Sequence, residues 1–517
     1  TWRSAVQIRP PQPKMKKKLL VLIVAFNHEK FIHKVLDRIN ENLTNSYHVE
    51  ILINDDSSSD ETLKVTKNYI RENQKKKFKY TILSNPINQG YGGNQKIGFL
   101  YAIKNNFDYV ALVHGDGQYA PEYLEKLLFP FLNEKVDAVF GSRMINKNGA
   151  IKGGMPLYKF LGNKILTFFQ NKLFDKDFTE FHSGYRVYRV NSLKKIPYEL
   201  NNNDHFFDNQ IIIQFLLAKL EIQEVAIPTY YGDEISYVNG LKYAYQVFMG
   251  NLKAKLQKFG IFYDRKYDFE KDENTNYVLK DKFDSPHSYA IKDISSNSKV
   301  LDLGCNNADL SKLLKKEKNC RITAVDKYEN INHIEEIDEY FSFDLDNGLP
   351  DLDYSQYDYI LLLDVIEHLK NPENFMIKLK KKIDKNSKVQ VIISTPNIGF
   401  LIIILMLLFG SFNYGKRGIL DKTHTRLFTF QSFKKLIEES NYNIVTTTGI
   451  PAPFPLAIGE NLLSKILINF NKLAINIWRS FFSYQILCKI KPNKSLNLLL
   501  KKAEKKLLSS FLIHILC

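Results

Sequence analysis

Cysteine is scarce in this chain: four among 517 residues, at Cys305, Cys320, Cys488 and Cys517, with no C-x-x-C pair. That argues against a disulfide framework and against a zinc site, and it fits a reducing cytosol. Long apolar runs are missing as well. The longest, Ile398–Phe409, is shorter than the ~20 residues a membrane-spanning helix needs, so no transmembrane helix is expected. No secretory signal is expected either, because the apolar run after Lys16–Lys18 stops at Asn27-His28-Glu29. No nucleic-acid-binding motif occurs, and no nucleic-acid partner is expected. Residues 1–14 lack an initiator Met and any periodicity; they read as a non-native or disordered leader before Met15.

What is present is a globular composition, 44% hydrophobic and 25% charged, long enough for two or three domains with full cores. The net charge is +16, much of it from Lys14–Lys18, Lys75–Lys77, Lys380–Lys382 and Lys501–Lys506. Such runs suit solvated helix faces, and equally an anionic membrane surface or anionic substrates.

The first half alternates strands and helices. Apolar runs at Leu19–Phe26, Val49–Ile53, Tyr80–Leu83, Tyr109–Val113 and Asp137–Phe140 are separated by helix-like segments. This predicts a parallel sheet with helices on both faces. Polar residues cluster where the strands stop. Ala25, Asn27 and Glu29 close the first strand. Asp55 and Asp56 close the second, ahead of a Ser-rich turn. His114-Gly-Asp116-Gly-Gln118 closes the fourth. Open α/β sheets bind ligands at these ends. Carboxylates there accept the N–H of a base, and Asp116 with His114 and Gln118 offers donors for a hard divalent cation shared with phosphate oxygens. Helix capping and a plain strand-to-helix turn explain the same residues more simply.

The stretch Tyr109–Gln118 resembles the Asp-x-Asp-Gly-Gln motif of family-2 glycosyltransferases, in the subgroup similar to polyprenyl-phosphate sugar transferases, with His114 in place of the first Asp. Gly141-Ser142-Arg143, Ser183-Gly184-Tyr185-Arg186 and Tyr230-Tyr231-Gly232-Asp233-Glu234 follow in that family's order. The resemblance implies a GT-A-like fold and a nucleotide-sugar donor held by Ala25, Asn27, Glu29, Asp55, Asp56, His114 and Gln118. It implies Mg²⁺ or Mn²⁺ on Asp116, His114 and Gln118, and catalytic roles for Asp116 and Arg143, the latter facing an acceptor phosphate. Asp208, at the start of another helix, is a candidate base if the acceptor is a sugar hydroxyl; a lipid phosphate is already anionic and needs none. Leu157–Phe174 is apolar at helical spacing, with core packing as the default expectation and a lipid-acceptor groove as the alternative. Tyr237–Phe262 mixes lysines and aromatics in a pattern that suits a membrane surface.

After a charged, Asn-rich linker at 263–284 the pattern restarts. Lys299–Leu303 runs into Gly304-Cys305-Asn306-Asn307-Ala308, and the next strand, Arg321–Val325, ends at Asp326. A turn glycine with an acid closing the second strand is the arrangement that holds adenosine; the G-x-G-x-x-G of a dinucleotide site is missing. Further strands are expected at Phe341–Leu345, Tyr357–Leu363, Lys388–Ile393, Asn443–Thr447 and Ser483–Ile490. Leu-Asp302-Leu-Gly-Cys, with Asp364-Val-Ile-Glu-His368 and Ser394-Thr-Pro-Asn397, resembles class I S-adenosylmethionine-dependent methyltransferases similar to ubiquinone-biosynthesis O-methyltransferases. Asn306 and Ala308 stand where that family has later glycines. The resemblance implies S-adenosylmethionine bound by Asp302, Gly304, Cys305, Asn306, Asp326, Asp344 and Asp364, with His424 or His368 as base. A structural hydrogen bond is the plainer reading of His424, and a helix-start contact that of His368. Glu367 and His368 alone are too few ligands for a metal.

The expectation is therefore an α/β protein of two doubly wound domains. A GT-A-like nucleotide-sugar domain spans 15–262, a Rossmann-like methyltransferase domain spans 285–492, and an amphipathic tail spans 493–517. It would transfer a sugar to a lipid-linked or glycan acceptor and methylate a glycan hydroxyl, in the cytoplasm or peripherally at the inner face of the cell membrane. The rival is a membrane-associated scaffold in which the His114 and Asn306/Ala308 departures mark inactive sites.

Overall fold

The computed structural model describes residues 16–146, 149–230, 239–257, 261–268, 279–329, 336–383 and 388–493. The run 231–234 and the tail 494–517 lie outside them. The chain divides into two compact units, Thr1–Lys255 with Asp264–Lys271, and Leu256–Tyr263 with Asp272–Cys517.

The first unit is built on a seven-stranded sheet, β1 (Lys17–Ala25), β2 (Tyr47–Asp55), β3 (Lys79–Ser84), β4 (Tyr109–His114), β5 (Val136–Ser142), β6 (Arg186–Arg189) and β7 (Glu221–Ala226), in the order β3-β2-β1-β4-β6-β5-β7. β1 and β4 are continuous apolar runs because both sheet faces are covered: Val21 and Ile23 enter one core, Leu20 and Leu22 the other. The sheet is not wholly parallel, which corrects the expectation. β6 runs antiparallel between β4 and β5, with Arg186 beside Leu112. That reversal carries the Ser183-Gly184-Tyr185 turn to the end of β4. The helical stretch after β4 is not one helix but three short pieces, Pro121–Tyr123, Leu124–Leu128 and Phe129–Leu132. Pro130 lacks the N–H a continuous helix would need.

The helix Leu157–Phe174 overturns the expectation of core packing. It buries Asn163, Thr167 and Gln170 and exposes Leu157, Tyr158, Leu161, Ile165 and Phe168. The cause is polar. Asn163 donates to Glu180, the Thr167 hydroxyl accepts the Phe181 N–H, and Gln170 donates to Asn251. Its apolar edge continues onto the helix Gly240–Gln257, where Phe248 stacks on Phe169 with ring centroids 4.7 Å apart, and Leu241 and Tyr245 are exposed.

Among the described residues the second unit has a seven-stranded sheet, β8 (Lys299–Leu303), β9 (Arg321–Asp326), β10 (Glu339–Ser342), β11 (Tyr359–Leu363), β12 (Gln390–Pro396), β13 (Tyr442–Ile450) and β14 (Gln485–Pro492). Their order is β10-β9-β8-β11-β12-β14-β13, with β14 antiparallel to both neighbours. β10 stops at Ser342, short of the expected Leu345, and Asp344 lies just beyond its end, capping the short turn Leu345–Asn347 through the Asp346 N–H. The helix Leu462–Ile477 shows an outward apolar stripe, Leu462, Leu463, Ile466, Phe470, Leu473 and Ile477. Among the described residues no helix is long and apolar enough to cross a membrane.

Candidate active sites

In the first unit β2, β1 and β4 end side by side. Ala25 is aligned with Asp55, and Val24 with His114. The strand connections reverse direction between β1 and β4, the place where open sheets receive ligands. The Ala25 carbonyl accepts the Asp56 N–H at 2.8 Å. Asp56 Oδ1 accepts from the Asn85 amide at 2.7 Å and the Gln89 N–H at 2.8 Å. Asp55 Oδ2 accepts the Ser84 hydroxyl at 3.2 Å, while its Oδ1 is buried with no hydrogen-bond partner. An orphaned acceptor of this kind is what the N–H of a base would satisfy. Asn27 and Glu29 do other work. Asn27 Oδ1 accepts the Ser59 N–H and Glu29 Oε2 the Glu61 N–H, so both hold the loop after β2.

Asp116 begins a tight turn, its Oδ1 accepting the Gln118 N–H at 3.0 Å. His114 is wedged edge-on against Tyr91 and Tyr119. Tyr91 links two groups: its hydroxyl lies 2.9 Å from His114 Nε2 and donates to Asp208 Oδ2 at 2.9 Å. A hydroxyl has one proton. Since Asp208 takes it, His114 Nε2 must carry a proton of its own, and the imidazole lone pair is left on Nδ1. Burial lowers the His114 pKa, which keeps the ring neutral. A cation on this imidazole can therefore use Nδ1 alone. No third His, Cys, Asp or Glu joins Asp116 and His114 in a ligand cluster among the described residues. The donor's phosphate oxygens would have to complete the shell.

Two further carboxylates are already matched. Asp208 also accepts from Gln95 at 3.1 Å and lies 3.6 Å from the fully buried Arg186 guanidinium. Arg143 presents its fork to Glu180, with Nε 3.0 Å from Oε1 and Nη2 closing a second bond. Burial works against the Glu180 charge, yet Arg143 holds its carboxyl below the usual range. An acceptor phosphate reaching Arg143 would share it with Glu180.

In the second unit the turn after β8 folds back on β9. The Gly304 and Cys305 N–H groups both donate to the Val325 carbonyl, at 2.8 and 3.2 Å. Gly304 sits at φ +80°, and a Cβ there would meet Val365 at 2.5 Å, so only glycine fits. Asn306 and Ala308, the two departures from the expected glycines, keep left-handed backbone at φ 50° and 58°. The loop retains the shape that glycines would give it. Asp326 takes the Asn306 N–H on Oδ2 and the Lys327 N–H on Oδ1, both at 2.7 Å. Each oxygen keeps a lone pair for a ribose hydroxyl. Asp302 is buried behind the loop, bonded to the Ser311 hydroxyl, and burial pushes its carboxyl up to about 6. It braces the loop from beneath. Burial likewise pushes the Cys305 thiol up, so it stays protonated. Asp364 accepts from Ser394 at 2.7 Å and Gln485 at 2.8 Å, with the Lys280 ammonium 3.8 Å away. Burial opposes its charge, but Lys280, Ser394, His287 and Gln485 hold it below the usual carboxylate range.

A family model described as glycosyl transferase family 2 matches residues 20–197. An uncharacterized protein of Methanocaldococcus jannaschii is 30% identical over 218 residues, 42% of this chain and 84% of its own length. The UDP-N-acetylglucosamine–dolichyl-phosphate N-acetylglucosaminyltransferase of Methanococcus voltae is 31% identical over 255 residues, 47% of this chain and 99% of that protein. The chain belongs to the family-2 glycosyltransferases. A second family model, described as a methyltransferase domain, matches residues 273–447, so one chain carries a glycosyltransferase unit and a methyltransferase unit. Among solved structures, glucosyl-3-phosphoglycerate synthase of Mycobacterium tuberculosis aligns at 16% identity over 47% of this chain and 81% of that one, with TM-score 0.35.

Sequence reasoning missed several residues that hold these sites. Tyr91, which joins Asp208 to His114, and Gln95, which donates to Asp208, lie in the first turns of the helix Tyr91–Lys104 and are uncharged, so no charge singles them out. Glu180, the counter-charge to Arg143, is an acid inside the stretch 177–186 and carries no spacing signal. Lys280 sits in the stretch read as linker, and Gln485 opens the last strand, far along the chain from Asp364.

Proposed function

We propose that the glycosyltransferase unit transfers a sugar from a nucleotide-sugar donor to a membrane lipid phosphate. The methyltransferase unit then methylates a hydroxyl of a related glycan with S-adenosylmethionine, in the assembly of a cell-surface glycan. The observation that carries this reading is the inverted helix Leu157–Phe174. Its polar edge holds the Arg143–Glu180 pair of the sugar-transfer site, and its apolar edge faces outward, as an interfacial helix requires. A lipid acceptor explains both edges at once.

The state of Asp208 supports a phosphate acceptor over a sugar hydroxyl. Its oxygens already answer Tyr91, Gln95 and Arg186, so it is poorly free to take a proton. A phosphate brings its own anionic oxygen and makes no such demand. The relative from Methanococcus voltae, named for a dolichyl-phosphate acceptor, points the same way. In this reading Asp55 and Asp56 bind the donor's base, and Asp116 orients the diphosphate through a divalent cation. That cation, when bound, offsets the charge of the departing nucleoside diphosphate. In the methyltransferase unit Asp326 holds the ribose hydroxyls while the Gly304–Ala308 loop lies along the rest of S-adenosylmethionine. Covalent linkage raises the concentration of one unit's product at the other.

The test is release of nucleoside diphosphate from a panel of nucleotide sugars with Mn²⁺, in detergent, with either a polyprenyl phosphate or a soluble glycan as acceptor. Release stimulated by the polyprenyl phosphate and lowered ~100-fold or more in Asp116→Ala is the expected result. Stimulation by the soluble glycan alone would reject the lipid acceptor.

A further inference from the structure

The helix Leu462–Ile477 belongs to neither site, and methyl transfer does not explain how it is built. It lies in the connection from β13 to β14. Ile450 ends β13 opposite Gln485, the first residue of β14, and Gln485 is aligned with Pro396 at the end of β12. The connection therefore leaves and rejoins the sheet at the edge where Asp364 follows β11, and Gln485 itself donates to Asp364 at 2.8 Å. From the helix, Lys472 pairs with Asp284 at 2.6 Å, in the segment that carries Lys280 to Asp364. The helix is thus fixed to the cofactor edge of the methyltransferase unit.

Its sequence divides it lengthwise into three faces. Ser464, Ile468, Asn471 and Ile475 recur at helical spacing and are buried. Asn471 anchors that face, accepting the Ala452 N–H at 2.8 Å and donating to the Phe482 carbonyl at 2.9 Å. Opposite it runs the outward apolar stripe, with Phe470 70% and Ile477 85% exposed. Lys465 and Lys472 stand seven residues apart, which puts them on one flank between the two faces, where Asn469 and Asn476 are also exposed. The helix contains no Asp or Glu, and Glu460 precedes its Asn461 cap. Trp478 follows its last turn, 57% exposed and stacked on Phe481 with ring centroids 4.7 Å apart.

Charge and area together name what covers the stripe. A helix lying in the plane of an anionic bilayer puts apolar side chains into the acyl boundary, lysines against headgroup phosphates and an indole at the interface. This helix supplies all three and no opposing acid. A second copy of the chain fits less well. A 16-residue helix is about 24 Å long, and a stripe about 10 Å wide along it offers roughly 240 Å². Each partner in a stable dimer contributes about 800 Å².

We propose that Leu462–Ile477, with Trp478, docks the methyltransferase unit on an anionic lipid bilayer and holds its cofactor edge at the headgroup surface. This surface is separate from the one on Leu157–Phe174, and the proposal does not depend on which acceptor receives the sugar.

The experiment uses the full chain and its own tryptophan. The chain has two, Trp2 and Trp478, so Trp2→Phe leaves a single reporter on the proposed surface. Ile165→Ser/Phe168→Ser is added so that the stripe of the first unit does not bring the chain to the vesicle. Phosphatidylglycerol vesicles with brominated acyl chains should shift the Trp478 emission to the blue and quench it, a readout that alters nothing in the helix. Adding Phe470→Ser/Leu473→Ser should weaken partitioning by ~10-fold or more. Lys465→Gln should weaken it about 5-fold on phosphatidylglycerol and leave the weaker binding to phosphatidylcholine unchanged. S-adenosylmethionine binding should persist in each variant, because every substituted side chain is exposed. Unquenched Trp478, partitioning unchanged by Phe470→Ser/Leu473→Ser, or equal binding to the two lipids would each overturn the assignment. A concentration-dependent dimer in sedimentation, lost in Phe470→Ser/Leu473→Ser, would overturn it in favour of a second copy.

Discussion

The inverted helix makes a quantitative demand on membrane binding. Ile165 is 67% exposed and Phe168 is 71% exposed, so substituting both removes apolar surface that the folded protein does not use. Fully burying such a side chain is worth ~1.5–3 kcal/mol. The exposed two-thirds of each would therefore contribute roughly 1–2 kcal/mol on entering a bilayer, about 3 kcal/mol for the pair. At 1.4 kcal/mol per decade this is a ~100-fold loss of partitioning. The variant Ile165→Ser/Phe168→Ser should show that loss in co-sedimentation with phosphatidylglycerol vesicles. Its melting temperature should hardly change, because exposed substitutions away from structural features stay within ~0.5 kcal/mol. The stripe on Leu462–Ile477 could add its own affinity, but the ratio of variant to wild type still reports the first surface alone. Activity on a water-soluble short-chain acceptor should be retained. Vesicle binding equal to wild type would refute the interfacial role of this helix.

Three other outcomes follow from particular residues. A Cβ at Gly184 would come 2.6 Å from the His114 ring. Gly184→Ala should therefore displace that ring, break its bond to Tyr91 and lower nucleoside diphosphate release by ~10-fold or more at unchanged fold; wild-type turnover would show that His114 need not sit where it does. Burial pushes His182 down to about 4, below its ordinary value, so the folded state excludes a proton that the unfolded chain binds. Its contribution, roughly 2–3 kcal/mol, is present above pH 6.5 and lost as pH falls toward 4. His182→Gln should flatten the fall of melting temperature in that window, and an unchanged slope would contradict it. His287, also pushed to about 4, acts in the same direction, whereas Asp302, raised to about 6, opposes it in the methyltransferase unit. Ala308 at φ 58° carries ~1–2 kcal/mol of left-handed strain. Ala308→Gly relieves that strain but loses ~0.8 kcal/mol of methyl burial and gains unfolded-state freedom. Thermal unfolding should stay within ~1 kcal/mol of wild type, and a larger loss would mean that the methyl group holds the loop.

The strands at the centre of both sheets were legible because they are buried on two faces and therefore read as unbroken apolar runs. Leu19–Ala25 and Tyr109–Val113 left no alternative, and the acids at their ends marked the ligand edge. β6 escaped notice because it is four residues long and carries Arg186 and Arg189, charges that suggest a loop until Asp208 is seen beside the first. β7 escaped because Glu221, Gln223 and Glu224 interrupt its apolar pattern at the sheet's edge. Leu157–Phe174 was legible as a helix but not in its orientation. Periodicity gives the angle between apolar and polar faces; it does not say which one meets the core. Here the buried Glu180 decides, since a carboxylate inside the fold needs Arg143 and Asn163, and Asn163 then turns the helix inside out.

The same distinction separates the two departures from family pattern. His114 replaces an acid in the sugar-transfer motif, and Tyr91 fixes its tautomer while Asp208 anchors Tyr91. An ornamental imidazole in a dead site would have no need of this chain of partners. Asn306 and Ala308 replace glycines, yet both residues take the backbone conformation that glycine would have supplied. A loop released from selection for cofactor binding would be expected to relax to ordinary φ values, because left-handed alanine is unfavourable by ~1–2 kcal/mol. Each substitution thus preserves what the site needs, electron pairs in one case and loop shape in the other. That is the physical ground for reading both units as working catalysts rather than as a scaffold. The scaffold reading would gain only if tight S-adenosylmethionine and nucleotide-sugar binding were measured with no turnover of either.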